Sequence, residues 1–313
     1  MDIYKRQYLK RTSSGLGFMV FAITGTMNLV ALILSIALFT RLDTTLSLWM
    51  QMFISVSCMF ISGMVYCWAS KSDINELIKV KRVSPKLAVP LIMIALTVSF
   101  TSDYLADLLQ SSFSVFGLEN GIELNTESTT PVNFLLNIIA VSVVPPLVEE
   151  FVFRGVLLGK LRRFGDGFAV LMSSVIFGLI HENLVQIPFA FIVGLALAFT
   201  TVKCGSVVPA IIVHFIVNFR ATLISSLIDN KVISEEILNI IYIVFLIVVF
   251  ILGIVSAYRL SKKEGFFSLE SKPDYPFAES LGAFIGNGGM ICFLVIVVIN
   301  TISTTSLFSF LGG

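Results

Sequence analysis

Charge is what this chain has least of: across 313 residues only 13% are Asp, Glu, Lys or Arg, while 56% are hydrophobic. A soluble domain carries about 25% charged residues, so a water-soluble globule is excluded and lipid becomes the solvent for most side chains. Net charge is +1, which provides no field to gather a polyanion, and no nucleic-acid partner is expected. The four cysteines, Cys58, Cys67, Cys204 and Cys292, stand singly in or beside apolar segments, spaced neither as a metal knot nor as a disulfide framework. No internal repeat, heptad array or low-complexity tract interrupts the chain. Histidine is as scarce as tryptophan, with two residues, His181 and His214.

What the chain has is apolar blocks of about 20 residues, the length a helix needs to cross roughly 30 Å of hydrocarbon. Backbone groups find no water there, and the alternating pattern of barrel strands is missing, so each block must be helical. The fold class expected is an all-α, polytopic membrane bundle. Candidate spans lie at about 15–40, 46–69, 87–117, 132–162, 167–182, 184–203, 205–228, 237–259 and 281–311, which makes about nine. Lys5, Arg6, Lys10 and Arg11 precede the first block as in a signal peptide, but the run from Gly15 to Thr40 is too long for an h-region and is expected to be a retained span. Asp103 and Asp107 suggest that the latter half of the third block is an interfacial amphipathic helix. Gly282, Gly286, Gly288 and Gly289 predict an irregular start to the last block.

The basic clusters at the N-terminus, Lys71 to Lys86, Lys160 to Arg163, Lys203, and Arg259 to Lys272 all fall on one side if the N-terminus is cytoplasmic. The opposite loops hold Glu119, Glu123, Glu127, Glu182, Asp229, Glu235 and Glu236, with Arg41 and Lys231 as basic exceptions. Trp49, Trp68 and Tyr66 near span ends read as interface anchors. Linker-like stretches at about 118–131 and 260–280 do not separate independent domains. The economical division is N-terminal spans over 1–131, a chemistry-bearing core over 132–228 and C-terminal spans over 229–313.

A charged side chain inside a span costs roughly 2.5–3.5 kcal/mol, and Glu149 and Glu150 are such groups. They follow Pro145-Pro146, which can restart a helix and place the acids in its first turn. Consecutive residues of an α-helix point about 100° apart, so the acids are expected to serve different ends. Glu150 and Arg154 are spaced i,i+4 with the acid first, the geometry of a self-neutralising pair. Glu149 has no local partner and must face a polar cavity or another helix. Both acids pinning helices together is the structural alternative.

Depth favours chemistry over pinning. At 1.5 Å per residue, Glu149 lies about 16 Å from Lys160, His181 about 22 Å from Asp166, and His214 and Asn218 about 16 and 22 Å from Lys203. Four polar groups on three helices thus reach a similar level, and His214 and Asn218, at i,i+4, share a face.

Glu-Glu-x-x-x-Arg at Glu149, Glu150 and Arg154, then Phe-x-x-x-His at Phe177 and His181, then His-x-x-x-Asn at His214 and Asn218 resemble, in this order, the CPBP family of intramembrane proteases. That family includes type II CAAX prenyl endopeptidases and Abi-like bacterial relatives linked to bacteriocin self-immunity. The resemblance runs from about Pro145 to Asn218, with Phe153-Arg154-Gly155 and Gly205-Ser206-Val207-Val208-Pro209 inside it. It implies an intramembrane endopeptidase in which Glu149 and His181 activate water while His214 and Asn218 hydrogen-bond the oxyanion. Glu150, Arg154 and Phe177 are then structural support. The implied partners are membrane lipid and a peptide or lipidated protein substrate, in a bacterial plasma membrane.

No cofactor is expected from the glutamate-driven mechanism that the resemblance supports. Zinc is the alternative, because Glu149, His181 and His214 supply a triad with an open fourth position; against it stand the missing His-Glu-x-x-His helix and the poor ligating power of Asn218. Glu182, at a helix end, reads as a solvated charge or cap. Two other functions use the same residues: a non-proteolytic bacteriocin-immunity or peptide-binding protein of this fold, and a proton-coupled transporter, which the lack of inverted repeats disfavours.

Overall fold

A computed structural model describes residues 1–38, 44–115, 131–229 and 232–304. Arg41, Glu119, Glu123, Glu127 and Lys231, the side chains of Trp49 and Asp229, most of the 118–131 linker and the tail of the last block lie outside the described residues. The helices are α1 (Ile3–Leu38), α2 (Thr44–Ala69), α3 (Ile74–Leu77), α4 (Pro85–Val115), α5 (Pro131–Asn137), α6 (Val144–Glu149), α7 (Leu158–Leu161), α8 (Asp166–Leu179), α9 (Gln186–Cys204), α10 (Val208–Asp229), α11 (Glu235–Ser261), α12 (Phe277–Ile285) and α13 (Gly288–Thr304). Two π-helical stretches, Ile138–Val143 and Glu150–Leu157, join α5, α6 and α7 into one continuous rod. Among the described residues there is no strand, only an isolated bridge between Gly165 and Ser271. The all-α membrane class is as expected.

The number of spans is smaller than expected. Among the described residues seven helices are long and apolar enough to cross a bilayer, or eight if the α12–α13 pair, bent by 68°, counts as one. The shortfall comes from α8, whose 14 residues reach about 21 Å, short of the roughly 30 Å of hydrocarbon. The bend between α12 and α13 falls at Gly286 and Asn287, within the glycine cluster that predicts irregularity. The third block departs from its expectation, because α4 runs unbroken for 31 residues. Asp103 is no interfacial charge: its carboxylate pairs with Arg220 of α10, whose guanidinium also meets the Tyr242 hydroxyl and lies over the Phe100 ring.

The basic clusters do gather at one end. Lys5 Nζ pairs with Asp274 at 2.8 Å, Arg163 donates to the Tyr8 hydroxyl at 2.8 Å, Lys203 donates to Ser268 O at 2.6 Å and Val207 N donates to Lys79 O at 3.0 Å. From that end the densest packing is α8 on α9, α1 on α13, and α4 on α11 and α9. One buried cluster, including Leu16, Ile23, Phe153, Leu157 and Phe284, joins α1 and α12 to the central rod, and a second, with Leu96, Phe100, Leu197 and Val213, joins α4, α9 and α10. In lipid such clusters hold by close packing and interhelical hydrogen bonds rather than by water exclusion. Ile243, Ile247, Phe250 and Ile251 of α11 are exposed accordingly, as a lipid-facing helix requires.

Candidate active site

The rod that carries the two acids is shaped by its prolines. Pro145 and Pro146 have no N–H, so the Val141 carbonyl has no backbone donor at i+4 or i+5. The ladder widens to π geometry on both sides of this point, a distortion that recurs at functional sites. Asn218 of α10 supplies the missing donor, its Nδ2 reaching Val141 O at 3.0 Å, and one turn on Thr222 Oγ1 meets Ser142 Oγ at 3.1 Å. Asn218 therefore has a structural task, and only its second amide hydrogen is open to any other.

Widening also changes where the acids point. A π-turn spreads more residues over each turn, narrowing the angle between neighbours, and both carboxylates here face His214. Glu150 Oε1 accepts from His214 Nδ1 at 2.9 Å, while Glu149 Oε2 stands 3.7 Å from His214 Nε2. The environments differ as the sequence predicts. Glu150 is fully buried and its Oε1 lies 3.0 Å from Arg154 Nη1, the expected i,i+4 pair, whereas the Glu149 side chain keeps 18% exposure. Only Glu149 can meet a water molecule or substrate. Glu150 Oε2 and Arg154 Nε make no hydrogen bond among the described residues.

Phe177 sits at the centre of the cluster. Its ring meets His181 edge-on at 5.2 Å and His214 at 5.7 Å, and the Arg154 guanidinium lies 4.0 Å above its face, a cation–π contact strengthened by burial. His181 lies just beyond the end of α8, not inside a helix, and its Nδ1 is 2.8 Å from Phe177 O. A carbonyl only accepts, so Nδ1 carries the proton and the neutral ring offers the Nε2 lone pair.

The short α8 ends there because the chain turns back at once. Glu182 adopts φ 52°, the left-handed conformation that terminates helices. Buried Asn183 Oδ1 accepts from Val185 N and Gln186 N, both at 3.0 Å, and so opens α9. The two helices leave the turn in backbone contact: a Cβ at Gly178 would lie 2.8 Å from Ile187 O and one at Gly194 3.2 Å from Ser174 Cα. The Gly194 carbonyl in turn accepts from Arg154 Nη2 at 3.4 Å. Gly178→Ala must push α9 away from the turn that holds His181, with an expected loss of about 1–3 kcal/mol. Thermal unfolding in detergent measures it, and an unchanged midpoint would show that the helices separate freely.

Glu182 itself is not a solvated charge. Its carboxylate accepts from Asn300 of α13 at 2.9 Å and from Asn28 of α1 at 3.5 Å, Asn300 also donates to Asn28 Oδ1 at 2.9 Å, and Thr304 Oγ1 donates to Glu182 O at 3.1 Å. The first and last helices thereby anchor the residue next to His181. Sequence reasoning missed this anchor because its partners lie 154 and 118 positions away. It also missed Asn183, whose place after His-Glu and before an apolar run was a readable helix-start signal.

Glu149, His181 and His214 do not form a preassembled ligand set for zinc. Among the described residues no group of three or more His, Cys, Asp or Glu could hold a metal ion.

Residues 131–220 match the family model described as Rce1-like, type II CAAX prenyl endopeptidase. Among curated proteins, the putative membrane peptidase YdiL of Bacillus subtilis (strain 168) is 33% identical over 109 residues, 34% of this chain and 44% of that protein. The membrane-embedded CAAX protease MroQ of Staphylococcus aureus (strain USA300) is 34% identical over 85 residues, 25% of this chain and 34% of that one. The chain spans less than half the length of either relative. No solved structure matches. The apolar helices together with these bacterial relatives make the chain a multi-pass integral membrane protein. Residues 131–220, which carry all three motifs of the cluster around Glu149, are thus an Rce1-like segment, similar to the type II CAAX prenyl endopeptidases.

Proposed function

We propose that this protein is an intramembrane endopeptidase that hydrolyses a peptide bond of a membrane-anchored substrate, of CAAX type, by water activated at Glu149. The observation that carries the reading is the partly open Glu149 carboxylate 3.7 Å from His214 Nε2, beside a fully buried Glu150 that anchors the same imidazole. Glu149 takes a proton from a water held also by the His181 Nε2 lone pair, and the water oxygen attacks the substrate carbonyl carbon. When the carbon–nitrogen bond breaks, that proton passes from Glu149 to the leaving amine.

His214 is placed to hold the developing oxyanion if both its nitrogens carry protons. Nδ1 then donates to Glu150, and Nε2, 3.7 Å from Glu149 Oε2, is the donor left for the substrate oxygen. The free amide hydrogen of Asn218 is a second donor. Donors fixed in a water-poor site are worth more than the same donors in water.

The test is cleavage of a fluorescence-quenched lipidated peptide by the purified full-length chain. His181→Ala should lower turnover about 10²–10⁴-fold, and a chelator should leave the wild-type rate unchanged. A rate lost to chelator and restored by zinc would overturn the metal-free form of the mechanism, whereas full activity in His181→Ala would overturn the role of His181 in holding the water.

A further inference from the structure

We propose that the groove between α1 and α2, which neither Glu149 nor Glu150 lines, is a binding site for an anionic phospholipid. Its volume is about 1230 Å³, larger than the roughly 300–1,000 Å³ of a pocket for a compact small molecule. It follows α1 from Arg11 to Leu29, about 27 Å of helix rise, which exceeds the roughly 15 Å half-thickness of the hydrocarbon core. Phe18, Leu29, Ile61 and Val65 line it while remaining exposed, so the groove opens sideways along apolar helix faces.

Chemistry changes sharply at the end where the basic clusters gather. Arg11, Lys71, Lys160 and Arg163 line that mouth against Asp73 and Glu76. Lys160 is the decisive residue: the residue as a whole retains 9% exposure, its stem packed inward, and it lines the cavity. Asp73 and Glu76 offset two of the four cations at the mouth, which leaves an excess of two positive charges for an anionic headgroup to match. Arg163, fixed by its bond to the Tyr8 hydroxyl at 2.8 Å, presents a second cation at the same mouth. Cations at one end and an apolar trough longer than a leaflet are complementary to a phosphate headgroup with an acyl chain attached. A soluble phosphate would use the cations and leave the trough empty, and a zwitterionic lipid would use the trough and leave the cations unmatched.

Lys160 lies on α7, directly after the π-helical stretch that holds Glu150 and Arg154, so a bound lipid would brace α1 and α2 against the rod that bears the acids. The site does not depend on the hydrolytic reading and is tested without it. The purified full-length protein in detergent is titrated with phosphatidylglycerol, phosphatidylcholine or inorganic phosphate while thermal unfolding is followed. Phosphatidylglycerol should raise the midpoint saturably and the other two should not. Lys160→Met should weaken the apparent affinity for phosphatidylglycerol about tenfold, and Val65→Trp, which fills the trough but leaves the cations, should weaken it as well. If Lys160→Met fails to fold, Val65→Trp carries the comparison. Equal stabilisation by phosphatidylcholine, an equal response to phosphate alone, or wild-type binding in the folded variants would overturn the proposal.

Discussion

Glu149→Gln should cleave the lipidated peptide about 10²–10⁴-fold more slowly than the parent chain, with unfolding free energy unchanged within about 0.5 kcal/mol. The separation of the two effects follows from the environment. Glu149 retains 18% exposure and touches the cluster only through a 3.7 Å approach to His214, so an isosteric amide keeps the packing and removes the base. Glu150→Gln is the contrast, in which stability should fall as well as turnover, because that carboxylate is fully buried between Arg154 and His214 and anchors the imidazole. Turnover that persists in Glu149→Gln would remove Glu149 as the base, whereas a chain that cleaves no peptide and keeps its biological activity in Glu149→Gln would leave the peptide-binding or immunity function as the better account of the cluster.

How much of this was legible in the sequence depends on the range of the interaction. Spacing within one helix read correctly: the i,i+4 pairing of Glu150 with Arg154 is present at 3.0 Å. The angular argument that separated Glu149 from Glu150 assumed α-helical geometry throughout, and the π-turn that begins at Glu150 lets both acids reach one imidazole. The double proline held a readable signal in its missing N–H groups, which identify Val141 as a carbonyl in need of a donor. Which residue would supply that donor was not readable, since Asn218 lies 77 positions on.

The same limit explains the fold. Apolar block length marked the helices, because membrane thickness acts on each segment separately. It overcounted spans because hydropathy does not register where a buried turn cuts a segment short: Glu182 and Asn183 stop α8 at 14 residues, and polar partners on α1 and α13 stabilise that stop. Asp103 was misplaced at the interface for a related reason, since Arg220, which neutralises it, is 117 positions away.

Removing Arg154 should produce the largest loss of stability in the molecule. Arg154→Met leaves Glu150 buried with one cationic neighbour fewer and takes away the guanidinium above Phe177 at 4.0 Å and its bond to Gly194 O, so the expected loss is about 3–5 kcal/mol. The informative comparison is Glu150→Leu combined with Arg154→Met, which removes both charges of the 3.0 Å pair and replaces them with apolar groups. Buried ion pairs exchanged in this way often cost nothing, yet here His214 Nδ1 loses its acceptor, an unsatisfied donor worth about 1–3 kcal/mol. The double variant should therefore regain part, not all, of the stability lost in Arg154→Met while remaining inactive, as measured by denaturant unfolding in detergent and by peptide cleavage. A double variant as unstable as Arg154→Met alone would mean that the guanidinium holds α9 rather than the carboxylate, whereas one as stable as the parent chain would mean that the bond from His214 to Glu150 contributes nothing to the fold.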